Sequence, residues 1–596
     1  VLGRPLFWAG RGRPRTGRRE HRAPQDGARS DIPLRATTQH LGGSDDADMP
    51  DHAASPTGPS RPPGQELAGA TADATVPPRF AHTDWRAKLL ASVTPSPRSD
   101  PAPNRLRWPG YAGIQAVWWG EGPVAGVDCV VAVWEFGVYG GSFGEVDAAA
   151  FAAAAEHAAT TRRPLLSFLR SGGTRLQEGV AGLVGLPRAT LAAAGLDEAG
   201  VTHVAVVDHP TTGGVWVTIA SRADLRCAVA GATVGFAGPR VVEAVTGAPP
   251  GADSHTAEAA WRAGLVDAVV EPDDMGAWLA AALVAAAAKP AVDATAPAAR
   301  DDARAGDAAT GSSDGHAAMD IRATGGGVAA GNGSKAADGG LGWAQVLAAR
   351  AAGRAGGGAA LDAVAVCGVE LAGGDPAVRA RLGLLAAAPA PGVPDGAGPD
   401  APGRSAALGV VGVAVAAEPR GAPGPAGYRL LARAARLAGK LGLPLVLFVD
   451  TPGADPSPPA EAGGVAAAIG AAMEAVLRCP SPTVSVVVGE GGSGGALAAA
   501  CADAVLMTPD SYLTALSPEG AAATLRIPAE RAAGLGGLRP TDLLRLGFAD
   551  EVLPSSDPAA IVRGVATTLA RLTPLDQGIR LSTRQRKWST ALPGHL

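Results

Sequence analysis

The chain has 596 residues and a formal net charge of −5, so its overall charge favours neither nucleic acid nor an anionic membrane as partner. Its 82 glycines and 50 prolines, with alanine supplying much of the apolar share, mark part of the chain as linker and tail rather than core. The five cysteines (Cys129, Cys227, Cys367, Cys479 and Cys501) form no CxxC pair, which argues against a zinc ribbon or a disulfide framework and suits a reducing cytoplasm.

Residues 1–80 are rich in Arg, Pro, Gly and Asp, show little periodicity and read as a disordered tail. Arg11, Arg13, Arg15, Arg18, Arg19 and Arg22 make its start basic, and a solvated tail accounts for them more simply than nucleic-acid binding. It has no apolar stretch of the kind a signal peptide carries. Residues 81–285 carry an α/β pattern. Val127–Val133, Leu165–Leu169 and Val204–Val207 read as buried strands, and Val146–Ala159 as a helix. The longest apolar helical run, 277–288, is too short and too Ala-rich to cross a bilayer. Residues 286–405 read as a low-complexity linker with one candidate strand, Ala363–Val369. The α/β pattern returns over 406–575, and 576–596 reads as a C-terminal tail.

The two ordered regions look like copies. Pro164-Leu-Leu-Ser-Phe-Leu-Arg-Ser-Gly-Gly-Thr174 aligns without a gap with Pro444-Leu-Val-Leu-Phe-Val-Asp-Thr-Pro-Gly-Ala454. Val204–Val207 leads to Gly213-Gly214 as Val484–Val487 leads to Gly494-Gly495, and Gly264-Leu-Val-Asp267 has a counterpart in Gly547-Phe-Ala-Asp550. Three matches in one order imply two homologous domains offset by about 280 residues, and hence a pseudo-symmetric pair with a site between them.

In each domain two strands run into glycine-rich backbone. A glycine pair where a helix starts lets a ligand approach free N–H groups at the positive end of the helix dipole. That is what an oxyanion hole requires. A single such pair is usually only a tight turn; two matched pairs in matched domains favour function. Gly489-Glu-Gly-Gly-Ser-Gly-Gly-Ala496 lacks the Lys-Ser/Thr ending of a phosphate loop and the spacing of a dinucleotide fingerprint. His203 and His209 read as structural, and no Ser/His/Asp order is recoverable. Glu178 and Glu490 lie close to the glycines, with Glu490 a candidate to orient its loop by hydrogen bonding.

At these residues the sequence resembles the bacterial acetyl-CoA carboxylase carboxyltransferase, with the beta and alpha subunits fused. The first region resembles beta through Gly140-Gly-Ser-Phe-Gly144, Ser171-Gly-Gly-Thr-Arg-Leu-Gln-Glu-Gly179, Asp208-His-Pro-Thr-Thr-Gly-Gly-Val215 and Gly235-Phe-Ala-Gly-Pro-Arg-Val-Val-Glu243. The second resembles alpha through Pro425-Ala-Gly-Tyr-Arg429, Phe448-Val-Asp-Thr-Pro-Gly-Ala454, Gly489–Leu497 and Leu516-Ser-Pro-Glu-Gly520. The resemblance implies two crotonase-type α/β domains, repeated ββα units wound into a superhelix, with acyl-CoA on the beta-like side (81–285) and carboxybiotin on the alpha-like side (406–575).

It further implies that amides near Gly172, Gly173, Gly213 and Gly214 serve one oxyanion hole and those near Gly453, Ala454, Gly494 and Gly495 the other. One would hold the thioester enolate, the other the biotin urea oxygen, with biotin itself taking the α-proton, which explains why no side-chain base is evident. Arg175 and Arg240 become candidate cations for the CoA phosphates, with Glu490 and Ala496 on the biotin side. The implied reaction carries the carboxyl group of carboxybiotin to acetyl-CoA, giving malonyl-CoA for fatty acid biosynthesis in the cytoplasm. No biotinylation motif and no ATP-binding signature are seen, so a separate biotin carboxyl carrier protein and biotin carboxylase are implied, with a homodimer of fused chains.

The chain departs from the family in two places. No four-cysteine zinc ribbon precedes Cys129, so no zinc is expected, and the segment Asp455-Pro-Ser-Pro-Pro-Ala-Glu-Ala-Gly463 replaces one usually rich in Glu, Arg and Gly. The rival readings are a crotonase-fold acyl-CoA hydratase, isomerase or decarboxylase, disfavoured by the beta-then-alpha order, and an inactive scaffold of a carboxylase complex.

Overall fold

The computed structural model describes residues 84–287, 338–386 and 408–596. The expectations for 1–80 lie outside these residues. Two eight-stranded sheets organise the rest. The first is built from β1 (Thr94–Pro95), β2 (Val117–Val124), β3 (Val127–Trp134), β4 (Leu165–Ser171), β5 (His203–Thr212), β6 (Leu225–Val229), β7 (Val234–Gly235) and β8 (Ala268–Val270). Its order is β1-β2-β3-β4-β5-β6-β8, with β7 also paired to β5. The second is built from β9 (Ala365–Glu370), β10 (Val378–Leu385), β11 (Gly409–Val415), β12 (Leu445–Thr451), β13 (Thr483–Gly492), β14 (Ala504–Met507), β15 (Tyr512–Thr514) and β16 (Glu551–Val552). Its order is β9-β10-β11-β12-β13-β14-β16, with β15 also paired to β13.

Strand β4 is Leu-Leu-Ser-Phe-Leu-Arg-Ser and β12 is Leu-Val-Leu-Phe-Val-Asp-Thr, and every residue of both is buried. Such continuous runs belong to parallel strands covered on both faces by helices. The covering helices repeat as well. Helices α1 (Glu145–Thr161) and α2 (Gly185–Ala199) belong to the first half, where the short α3 (Gly214–Thr218) follows β5.

The repeat is closest in register. Leu165 faces His203 in the first half and Leu445 faces Thr483 in the second, each pair displaced by 280 residues from the other. Both ladders shift at the same point, after Leu169 and after Val449, and resume at Ser171–Thr211 and Thr451–Gly491. The same carboxylates close the far edges. Asp267 accepts from Arg226 N and Asp550 from Val505 N, both at 2.7 Å, which makes the Gly-x-x-Asp match a strand-edge cap rather than a site.

Two boundaries read from composition are corrected. Residues 338–386, placed in the linker, form α4 (Asp338–Ala349), α5 (Gly357–Val364) and the strands β9 and β10 of the second sheet. The candidate strand Ala363–Val369 falls on β9, while alanine and glycine content hid α4, α5 and β10. Gly358 is one reason such small residues are needed, since a Cβ there would lie 2.7 Å from Ala417 O. The second half continues with α6 (Pro425–Leu441), α7 (Val465–Leu477) and α8 (Ser493–Ala500). Residues 576–596, read as a tail, form α9 (Gln577–Ser589). Arg584 on α9 is fully buried against Asp503 at 2.6 Å and donates to the carbonyls of Val476, Cys479 and Ser481, while Trp588 Nε1 donates to Ala502 O. A helix anchored by an arginine and a tryptophan carries no apolar stripe for a sequence reading to find. Beyond it Leu596 N donates to Arg105 O, and Arg105 Nη1 to Gly594 O, so the end of the chain is held against the first half.

One hydrophobic core runs through both halves, and two smaller clusters lie within the second. Where α7 meets α3, Gly470 admits the approach, because a Cβ there would lie 2.7 Å from Val217 O. Thr190 Oγ1 donates to Met473 Sδ, and Arg222 bridges Asp197 and Glu474 at 3.0 and 2.9 Å. The joint is completed by Glu461, whose carboxylate accepts from Trp216 Nε1 at 3.1 Å and Phe236 N at 2.7 Å. Glu461 lines a cavity of about 550 Å³ between the halves with His255, Thr256, Leu265 and Pro458.

Burial pushes the Glu461 carboxyl from its ordinary 4.5 up to about 7, against the pull of the two hydrogen bonds it accepts. The folded chain therefore holds this proton more tightly than the unfolded chain does. The resulting stability is fully present below about pH 4.5 and is lost as pH rises through about 7, amounting to about 3 kcal/mol in all. The neighbouring His255, whose pKa burial lowers, titrates in the opposite sense. Comparing denaturant unfolding of the wild type and Glu461→Gln between pH 5 and pH 8 should isolate the effect, on the order of 3 kcal/mol across that window, with the variant losing the glutamate's share of the slope. Parallel profiles would contradict it.

Candidate active site

In each half the long central strand outlasts its neighbours. Strand β5 pairs with β6 over Val204–Val207 and then with β7 at Thr211 and Thr212. Strand β13 pairs with β14 over Val484–Val487 and then with β15 from Glu490 to Gly492. At the end of each strand the chain takes one positive-φ residue and turns into a helix. In the first half that residue is Gly213, at φ 67°, and in the second it is Ser493, at φ 60°. The matched pairs are therefore Gly213-Gly214 and Ser493-Gly494, one position earlier than the glycine spelling Gly494-Gly495 suggests. Ser493 was missed because a non-glycine left-handed residue has no sequence signature.

The turn after the preceding strand folds against this one. Gly173 has φ 105° and Gly453 φ 148°. A Cβ at Gly213 would lie 2.9 Å from Gly173 Cα, and one at Gly495 would lie 2.9 Å from Ala454 N. Gly495 is thus required by close approach of backbone, not by its φ. Leu186, in the first turn of α2, lies against both helix starts. A Cβ at Gly494 would be 3.3 Å from its Cδ1, and one at Gly214 would collide with its Cδ2. The two turns are brought to one leucine.

Not all the amides expected of the site are free. Gly172 N donates to Gly140 O, Gly173 N to Ser171 Oγ, Gly213 N to the carbonyls of Gly235 and Phe236, and Gly453 N to Thr451 Oγ1. These four shape the turns. The amide of Ala454 donates to no acceptor among the described residues. Gly214, Gly494 and Gly495 stand in the first turns of α3 and α8, where amides have no intrahelical partner, so these four are the donors left for a ligand oxygen.

The charged candidates are also sorted by burial. Arg175 is corrected from a phosphate contact to a structural cation. Its side chain has 0% exposure, pairs with Asp147 at 2.6 Å and Glu178 at 3.6 Å, and lies over the Tyr139 ring. Arg240 is exposed, in the first turn of the helix Pro239–Thr246. Glu490 is fully buried and accepts from Arg350 Nε at 2.8 Å and Tyr512 OH at 2.7 Å, consistent with orienting its loop. Ala496 is fully buried inside α8, so its side chain contacts no ligand. His203 is structural. Its Nε2 lies 2.8 Å from Ser167 Oγ, and burial pushes its pKa down to about 3.

Beneath the second turn two cations come from the stretch once read as linker. Arg350 joins Glu490 to Glu519, and Arg354 pairs with the buried Asp450 at 2.7 Å. Asp450 in turn accepts from Glu490 N. Among the described residues no group of three or more His, Cys, Asp or Glu could hold a metal ion, and no helix is long and apolar enough to cross a membrane.

Comparison with known proteins agrees with this division. Residues 111–307 match the carboxyl transferase domain, and residues 416–573 match the acetyl co-enzyme A carboxylase carboxyltransferase-like family. The chain is 38% identical to the acetyl-coenzyme A carboxylase carboxyl transferase subunits beta/alpha of Salinispora arenicola, over 80% of its own length and 81% of the relative's. The chain belongs to the acetyl-CoA carboxylase carboxyltransferase family. It is 34% identical to the protein of the same description from Saccharopolyspora erythraea, over 80% of this chain and 79% of that one. It is also 32% identical to a probable biotin-dependent acyl-coenzyme A carboxylase beta3 subunit of Mycobacterium tuberculosis, over 80% and 88%. As a member it is a biotin-dependent carboxyltransferase, with two crotonase-type domains in one chain.

The close approach at Gly495 makes a direct test available. Gly495→Ala would push a methyl group onto Ala454 N, and turnover should fall by about a hundredfold, the effect of one lost oxyanion donor. Gly195→Ala, in α2 with nothing within 4 Å of the added carbon, should keep full turnover and gain roughly 1 kcal/mol of stability. Steady-state rates with circular dichroism on both variants check this, and equal activity in the two would count against the assignment of the turn.

Proposed function

We propose that this carboxyltransferase moves the carboxyl group of carboxybiotin, presented by a carrier protein, to acetyl-CoA and so forms malonyl-CoA for fatty acid synthesis in the cytoplasm. The observation that carries the reading is the pair of homologous turns in one chain, each ending at a helix start whose first amides have no intrahelical partner. Carboxyl transfer between two acyl-type substrates develops negative charge on two oxygens, and two preorganised donor sets answer that need.

In the first half Gly214 N serves the thioester oxygen as the α-carbon of acetyl-CoA becomes nucleophilic. In the second, Ala454 N, Gly494 N and Gly495 N serve the urea oxygen of biotin. Carboxybiotin supplies the carboxyl group and, once this has left, the base. The chain's own part is to hold both oxygens in place and to exclude water. Neither carboxylate nor imidazole nearest the glycine strands is offered as the base, since Glu490 is committed to Arg350 and Tyr512 and burial pushes the pKa of His203 down to about 3. Arg240, exposed in the first turn of its helix, is the cation assigned to the CoA phosphates in this reading. The carrier and a biotin carboxylase would be separate proteins, and the working form a homodimer of fused chains.

The similarity to an acyl-coenzyme A carboxylase subunit from Mycobacterium tuberculosis favours a second reading, in which longer acyl-CoAs are taken. Both readings are tested by one assay run in the reverse direction. Malonyl-CoA, methylmalonyl-CoA and longer carboxylated acyl-CoAs are incubated in turn with biocytin, and decarboxylated CoA product and carboxybiocytin are measured. The expected result is transfer, fastest from malonyl-CoA. Preference for a longer substrate would replace acetyl-CoA as the acceptor, and no biocytin-dependent transfer from any of them would remove the proposal.

A further inference from the structure

Tyr428 lies in the first turn of α6, and its side chain is fully buried. Its hydroxyl has no hydrogen-bond partner among the described residues. A buried hydroxyl left unpaired costs free energy that a phenylalanine would not, so its presence calls for an acceptor that arrives from outside. The position of the hydroxyl says where. It crowds the Cα of Gly495, where an added Cβ would collide with it, and the same added carbon would be 2.9 Å from the unpaired Ala454 N. Two unpartnered donors therefore converge at the start of α8, over a residue that carries no side chain. Pro452, Gly453 and Ser493 around them are partly open to solvent, which leaves an approach. The carboxylate nearest in charge, Asp375, is already occupied by Gly424 N and Gly427 N at the cap of α6.

We infer that the Tyr428 hydroxyl is a side-chain donor of the second oxyanion site, completing with Ala454 N and the α8 amides the cradle for a carbonyl-type oxygen of the carboxyl-carrying substrate. The inference rests on the function proposed above and deepens it by naming a catalytic residue. Burial and the nearby Asp375 keep the phenol protonated far above neutral pH, so it acts only as a donor and does not exchange its proton in the reaction. A phenol differs from the amides in one useful respect. It can swing by rotation about its C–O bond to follow an oxygen whose position shifts between substrate and transition state, whereas the amides are fixed by the helix.

The test is Tyr428→Phe in the full chain, which removes one oxygen atom and no packing volume. Wild type and variant are compared with malonyl-CoA and biocytin for kcat and for both Michaelis constants, and by thermal unfolding. The expected result is a kcat lowered by about a hundredfold, as for loss of one oxyanion donor, an unchanged KM for malonyl-CoA, and a Tm equal to or above that of the wild type. A variant that turns over within about twofold of an active wild type would overturn the role of Tyr428 while leaving the carboxyltransferase reading intact. A lower Tm accompanying the lost activity would show that the hydroxyl is a packing element and would equally overturn it. An inactive wild type would sink the functional reading, and this inference with it.

Discussion

Everything at the centre of this molecule depends on a strand that is longer than its neighbours. In a parallel sheet each strand is held on both sides, and a strand that continues past one partner must find another or expose its backbone. Here β5 and β13 change partners part-way, and the register shift between Leu169 and Ser171, repeated between Val449 and Thr451, is where the change is absorbed. Beyond that displacement both strands pair again, at Ser171–Thr211 and Thr451–Gly491, and each runs into a left-handed residue and a helix whose first amides have no intrahelical carbonyl.

The donors could not remain in place without support beneath them. In the second half the support is ionic. Asp450 and Glu490 are both fully buried, each meets an arginine, and Asp450 also ties down Glu490 N. Such pairs are costly to desolvate and costly to break, so they hold geometry rather than add much net stability. In the first half Arg175, Asp147 and Glu178 form the corresponding buried cluster under the Gly172-Gly173 turn. The two halves thus share a backbone plan but not the residues that brace it.

The sequence made the repeat and the glycine turns legible because both depend on local features. Buried parallel strands are continuous apolar runs, and close backbone approach demands glycine. What it hid was decided by tertiary contact. Arg175 sits in a motif that resembles a binding loop, yet only the fold shows that its charge is already neutralised. Ser493 takes a glycine-like conformation without being glycine. Tyr428 was part of a recognised motif, but nothing local distinguishes a tyrosine that packs from one whose hydroxyl waits for a partner. The helix ending in Ser589 and the strand β10 were lost to composition, since alanine, glycine and arginine do not announce burial, whereas the apolar run 363–369 did point to β9.

The placement of Arg350 and Arg354 bears on how such a fused enzyme relates to a two-subunit one. These residues precede the first parallel strand of the second half, yet their charges are committed wholly to it, and α5 with β9 and β10 completes its sheet. A division of the chain into two polypeptides would have to leave them with the second. Cut after β10, the alpha-like piece would keep its glycine turn but carry the buried Asp450 without its arginine, Glu490 with only Arg420 at 3.7 Å, and a bare edge on β11. The residues from Asp338 onward thus belong structurally with the second half, well before the point at which the sequence begins to look like an alpha subunit.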